Sequence, residues 1–281
     1  MIFLIFTGVF GTCHLTSNRR LPWTLPRIPQ VKLPLGYLIR YVLFTDQEFD
    51  ETGGWEAVKV PLKGTPRRTA RWIKIKAYRD LLKVHPHDLS VWIDSNVHLE
   101  PKFIEFLFTL GPETPTISLI HPRRRCTYDE IEHCFRKGMS SDLSLFKHQR
   151  KAYKRLNFPP DFGLAETRIL IRQATLNPRF DETWWSIFER FHNRDQCSFM
   201  VALWILKLPY SLIHPSDLLD VDILPKNRKE EESRVFEGLR YVKSFEVRGF
   251  SGKGPKRPLY RDKIVPKTTP TAPRGLRQDR F

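Results

Sequence analysis

Asp94, Ser95 and Asn96 directly follow the apolar run Val91–Trp92–Ile93. A carboxylate with a second oxygen donor two residues later can hold a hard divalent cation, Mn2+ or Mg2+, which can in turn hold phosphate oxygens. His214, after the apolar stretch Tyr210–Ile213, is a third candidate ligand, though a lone histidine there serves equally as a structural residue. Arg71 and Lys74 supply cations of the kind that stabilise charge developing on a phosphate leaving group. His121 and Arg123 follow a third apolar run, and the guanidinium fork suits phosphate or an acidic sugar. Glu166 and Asp195 are the candidates for acid–base or acceptor-binding work. Each group also has an ordinary role. Asp, Ser and Asn favour turns, Arg71 and Lys74 fit a solvated helix face, the arginines fit a basic surface loop, and Asp195 can cap the helix that follows it.

These residues need elements to place them. Ile2–Thr7, Tyr37–Phe44, Trp55–Val60, the run before Asp94, Thr116–Ile120, Arg168–Arg172 and Tyr210–Ile213 read as strands. Between them lie helical patterns. Thr65-Pro66 opens one, with Trp72, Ile75, Tyr78 and Leu82 facing the core and Arg67, Arg71 and Lys74 on a separate stripe. Others span Pro101–Leu110, Thr127–Lys137 behind a Thr-x-x-Glu capping box at Thr127–Glu130, and Ser141–Leu156. The last two are an aromatic helix capped at Asp181 and an apolar helix after Asp195. Strands alternating with helices imply an α/β fold with a mainly parallel sheet. Ligands then collect outside the carboxyl ends of the strands, where Asp94, His121 and His214 stand.

The chain has 281 residues and a net charge of +16, so an anionic partner is expected. Residues 1–225 read as one α/β domain, 226–250 as a charged connecting segment, and 251–281 as a basic Gly/Pro-rich tail too poor in apolar periodicity to fold. The tail can contact an anionic membrane peripherally. Cys13, Cys126, Cys134 and Cys197 form neither a Cys-x-x-Cys pair nor a disulfide framework, which points to a reducing, cytoplasmic setting. The apolar start has no basic residue ahead of it, so it reads as a first strand rather than a targeting segment.

Taken in order, Phe6–Gly11, Val42–Gln47, Arg71–Lys76, Val91–Asn96, Ile117–Glu130, Gly163–Glu166 and Arg194–Phe199 resemble a glycosyltransferase-like family. That family is known from plant mucilage and pectin-related proteins and from bacterial polysaccharide enzymes. The resemblance covers roughly Ile2 to Leu206. It implies a GT-A nucleotide-diphosphosugar transferase fold, a nucleotide-sugar donor, a glycan or lipid-linked acceptor, and a divalent cation. It also makes Asp195-Gln196 similar to an Asp-Gln pair that precedes a helix in several transferases, which places Gln196 with the donor. The departure is Asn96, where the usual metal element carries a second Asp; a neutral amide binds a divalent cation less strongly.

Three other readings compete. A nucleic-acid-binding protein follows from the charge, but the chain lacks zinc fingers, RNP aromatics and a helix-turn-helix, so nucleic acid ranks below a sugar nucleotide as partner. A metal-dependent phosphoesterase needs clustered carboxylates, and here they are sparse. A glycosyltransferase-like fold without activity is the fourth reading, prompted by Asn96.

Overall fold

A computed structural model describes residues 1–11, 26–49, 52–97, 99–191 and 194–214. The expected segments 226–250 and 251–281 lie outside the described residues, as does Cys13. The strands are β1 (Ile2–Val9), β2 (Leu38–Thr45), β3 (Glu56–Lys59), β4 (Leu89–Ile93), β5 (Thr116–Ile120), β6 (Ala165–Gln173) and β7 (Tyr210–Ile213). They form one sheet in the order β3-β2-β1-β4-β6-β5-β7. Among the described residues only β6 runs against the rest: β4 and β5 pair with it antiparallel, and the other pairs are parallel. The remaining strands therefore end at one common edge. From β1 the order runs to β2 and β3 on one side and to β4 on the other. The space outside β1 and β4 is a topological switch point, where α/β sheets open a crevice.

The helices are α1 (Pro66–Trp72), α2 (Tyr78–Leu81), α3 (Pro101–Phe108), α4 (Thr127–Arg136), α5 (Ser144–Arg155), α6 (Arg179–Arg190) and α7 (Gln196–Leu206), with a π-helical turn over Ile73–Ala77 joining α1 to α2. One face of the sheet packs Phe6, Phe44, Trp92 and Leu170 against the π turn and α4 to α7. The other packs Phe3, Ile5, Val91 and Ile93 against Phe103, Ile104 and Leu107 of α3. Both faces being covered explains why β1 and β4 read as continuous apolar runs. Helix α7 is buried from Cys197 through Trp204, so it shows little amphipathic pattern.

Two local features depart from expectation and both bear on function. Strand β6 starts three residues before the expected Arg168, and its pairing with β5 slips: Ser118 faces Leu170, but Leu119 faces Glu166. The Ser118 hydroxyl lies 3.1 and 3.0 Å from the Glu166 and Ile169 carbonyls, which secures the irregularity. Ala165 and Leu170 pack in the same cluster although they differ in parity, so the bulge reverses the alternation between them. Thr167 thereby gains the α7 face, and Glu166 loses it.

The second departure is Asp181. The sequence suggests a cap, yet α6 starts at Arg179 and Asp181 is buried. Its carboxylate accepts from Tyr78 Oη at 3.2 Å and Arg79 Nε at 2.7 Å, with Arg172 Nη1 at 3.8 Å. Arg172 is fully buried, stacks 3.7 Å over the Tyr78 ring, and donates to the Lys74 carbonyl at 2.9 Å. Removing the one anion would leave buried guanidinium charge uncompensated. Asp181→Ala is expected to cost about 3–5 kcal/mol in urea unfolding, whereas Tyr78→Phe, which removes one neutral donor, costs about 1 kcal/mol.

Candidate active site

Thr65 caps α1 by accepting from Arg68 N at 3.2 Å, and Pro66 fills the first position, as the sequence predicts. Gly11 follows β1 at φ 81°, and a Cβ there would lie 2.8 Å from the Pro66 ring. The missing side chain lets α1 begin against the end of β1. This sets Arg67, Arg71 and Lys74 beside the switch point.

The Lys74 ammonium is the centre of the site. Its side chain is fully buried, which corrects the view that it lies on a solvated face. Nζ donates to Asp195 Oδ2 at 2.6 Å, to Thr167 Oγ1 at 3.1 Å and to Asp94 Oδ1 at 3.4 Å. An ammonium has three hydrogens, and all are placed. Thr167 passes its own hydroxyl hydrogen to Asp195 Oδ2 at 2.8 Å. Arg71 closes the group, with Nη1 3.5 Å from Asp94 Oδ1 and Nε 3.3 Å from Asp195 Oδ1. Trp92 Nε1 donates to Asp94 Oδ1 at 2.7 Å. All these contacts to Asp94 fall on Oδ1, leaving Oδ2 for another ligand among the described residues.

Asp195 does not cap α7 with its side chain. Its carbonyl instead accepts from Trp184 Nε1, Ser198 Oγ and the Ser198 and Phe199 amides. That fixes the backbone and releases the carboxylate for Lys74. Burial acts to raise the Asp195 pKa, but Arg71, Lys74 and the hydrogen bonds from Lys74 and Thr167 outweigh it and hold the carboxyl well below the usual range. A group so firmly ionised is a poor general base at neutral pH. In this geometry Asp195 anchors Lys74 and Arg71. Burial lowers the Lys74 pKa, opposed by Asp195 and Asp94. Because Lys74 is enclosed, it positions the two carboxylates; Arg71 and Asp94, 18% and 16% exposed in their side chains, and the exposed Arg67 face outward.

Glu166 does not join this cluster. The bulge turns it away, and it is ion-paired with Arg168. Among the described residues, the His121 and Gln196 side chains make no hydrogen bond to Lys74, Asp94 or Asp195. Gln196 accepts from Arg194 Nη2 at 3.3 Å. The His121 Nδ1 accepts the Arg123 and Arg124 amides at 3.2 and 3.0 Å. Burial, then the neighbouring Arg124 and Arg168, push its pKa down to about 3, so it stands neutral as a brace for the loop. Arg123 is exposed. Glu130 does not complete a capping box: Cys126 is the cap, accepting weakly from Asp129 N at 3.4 Å. Glu130 is instead buried and ion-paired with Arg124, and with Arg194 at 3.6 Å.

Two donor sets bear on metal. Asp94, Asn96 and His214 do not fit a divalent cation. Asp94 Oδ1 already faces two cations, Asn96 is a neutral amide, and His214 follows β7, three strand spacings or about 14 Å across the sheet from β4. Glu130, Cys134 and Cys197 do place ligand atoms within 4.8 Å of one another. Their carboxylate, however, is already neutralised by two arginines. Cys126, Cys134 and Cys197 are free thiols.

Asp195 has a folded pKa depressed below its unfolded value of about 3.9. Its stabilising contribution is thus complete above the unfolded pKa and is lost as pH falls toward the folded one. Asp195→Asn is expected to lower unfolding free energy by about 3–5 kcal/mol at neutral pH. In chemical denaturation the gap to the parent should stay constant down to about pH 5 and narrow below about pH 4.

No curated protein matches the chain significantly. The crystal structure of mouse xyloside xylosyltransferase 1 in its apo form is similar at a TM-score of 0.43 and 10% identity, over 76% of this chain and 85% of that one. The family described as TOD1/MUCI70, glycosyltransferase-like domain, matches residues 42–216, a span that holds Arg71, Lys74, Asp94, Thr167 and Asp195. With well over half its length inside that match, the chain belongs to the TOD1/MUCI70 glycosyltransferase-like family.

Proposed function

We propose that the protein transfers a glycosyl unit from a nucleotide-diphosphate sugar to a saccharide acceptor, free or lipid-linked. Family membership supports glycosyl transfer in general. The observation that carries the finer reading is the Lys74-centred cluster at the switch point between β1 and β4, with Arg71 and Asp94 on its outer side.

In such a transfer negative charge grows on the departing diphosphate, and fixed cations aimed at it lower the barrier. Lys74 and Arg71 balance Asp94 and Asp195, and the exposed Arg67 is surplus charge one turn earlier on α1. Burial, then Arg71 and Arg194, lower the Arg67 pKa, and Asp195 and Asp94 oppose them. In our reading Arg67 and Arg71 take the diphosphate oxygens as fork-shaped donors. Asp94 Oδ2 accepts from a hydroxyl of the donor sugar. Asp46, at the end of β2, accepts from Gly11 N at 3.0 Å, and Gln47 donates to the Gly11 carbonyl. This pair shapes the floor beside the ends of β1 and β2 for the nucleoside. No step is assigned to a metal ion, because the Asp94 donor set does not suit one.

A panel of UDP- and GDP-sugars, with release of the nucleoside diphosphate as the readout, tests the proposal. The parent should turn over at least one donor, and Arg71→Ala should lower kcat/KM by about tenfold or more, the scale of one lost charge-assisted hydrogen bond. Arg123→Ala should leave it near the parental value. Absence of binding and turnover with every donor would overturn the reading.

A further inference from the structure

A second basic surface lies away from the candidate site, along α5. Lys147, Arg150, Lys151 and Lys154 are exposed and recur at helical spacing, so they form one stripe, with Arg155 beside it. Helix α5 contains no acidic residue. Together with α4 this helix walls a groove of about 440 Å³. Its floor is Ile131, Phe135 and Phe146, and the four cations stand along its side. Glu132 is the acid at the groove, and Arg136 and Arg150 already share it at 2.9 and 3.7 Å. Lys147 lies 5.2 Å over the Phe135 ring. Lys151 and Lys154 have no anionic partner among the described residues.

The segment leading into α5 adds a different chemistry. Met139 and Leu143 expose 41% and 39% of their surface, flanking the start of the basic stripe. Cations alone suit any polyanion. Cations beside exposed apolar side chains and an apolar-floored groove suit a lipid headgroup layer, where the charge meets phosphate and the apolar groups dip below it. Among the described residues no helix is long and apolar enough to cross a membrane.

We infer that the α4–α5 face, with Met139 and Leu143, is a docking surface for an anionic lipid bilayer. The inference stands independently of the transfer reading, since it uses none of the site residues. Each basic residue near an anionic bilayer contributes about fivefold in partitioning, so three together give roughly a hundredfold. Contact should fade as salt rises, because the Debye length shortens.

The test is co-sedimentation of the full chain with vesicles of phosphatidylcholine alone and of phosphatidylcholine mixed with phosphatidylserine. The parent should sediment with the mixed vesicles only. The triple variant K147Q/K151Q/K154Q should bind them roughly a hundredfold less, with an unchanged melting temperature because these side chains are exposed. Met139→Ser with Leu143→Ser should weaken binding several-fold while preserving its salt dependence. Parental binding by the triple variant would overturn the proposal, since the contact would then lie elsewhere, as in the basic segment after Pro225. So would parental binding by the Met139/Leu143 variant, or binding of soluble dextran sulfate through the same lysines without vesicle binding; both would mark a plain polyanion site.

Discussion

One buried ammonium organises the functional edge of this protein. Lys74 has no exposed surface, yet it carries a charge that only nearby anions make tolerable. Asp195 and Asp94 supply them, and Thr167 takes the remaining hydrogen. The bond is mutual: without Lys74 and Arg71, the enclosed Asp195 would be equally costly. Four elements meet there, the α1 to α2 stretch, the end of β4, the bulged part of β6 and the start of α7. Local charge pairing thus fixes the relative positions of segments far apart in the chain.

The supporting structure is arranged around that requirement. Lys74 sits in a π-helical turn, and wider turns of this kind commonly mark functional positions. The same residue's carbonyl accepts from Arg172, which is held over Tyr78 and beside Asp181. A second buried charge group therefore braces the first from behind. On β6 the bulge opposite Ser118 and Leu119 delivers Thr167 to the ammonium. Near β1, Gly11 permits the contact with Pro66 that starts α1 at the sheet edge. Tyr78 and Arg172 also fill the core, so the brace serves packing and the placement of Lys74 together.

Much of this could be read from residues in order. Apolar runs locate the central strands β1 and β4, because strands covered on both faces show up as continuous hydrophobic stretches, whereas the mostly exposed edge strand β3 is marked by the Gly53-Gly54 and Pro61 that bound it. Asp94 and Asp195 are identifiable from their places at a strand end and a helix start, and Arg71 and Lys74 from their shared stripe on one helix. The roles are harder. A lysine at helical spacing reads as solvated, and only tertiary packing shows that Lys74 is enclosed. Glu166 reads as the useful group on β6 and Thr167 does not, since a bulge leaves no trace in strict alternation. Glu130 and Asp181 read as helix-start acids, but each is buried against one arginine nearby in sequence and one far away, Arg124 and Arg194 for Glu130, Arg172 and Arg79 for Asp181. Trp92 reads as core, and it is, yet its indole nitrogen also holds Asp94. The α/β fold with a mainly parallel sheet matches the sequence reading; of the suggested metal ligands, His214 stands across the sheet from Asp94, whose Oδ1 already faces Arg71 and Lys74.

In the proposed function, Arg67 and Arg71, positioned around Lys74, take the bound diphosphate without help from a metal at Asp94. Calorimetric titration with UDP and GDP, in chelator and then in excess Mn2+, tests it most directly. One of them is expected to bind with the same affinity in both conditions. Binding that appears only with Mn2+, and vanishes in Asp94→Ala, would contradict it.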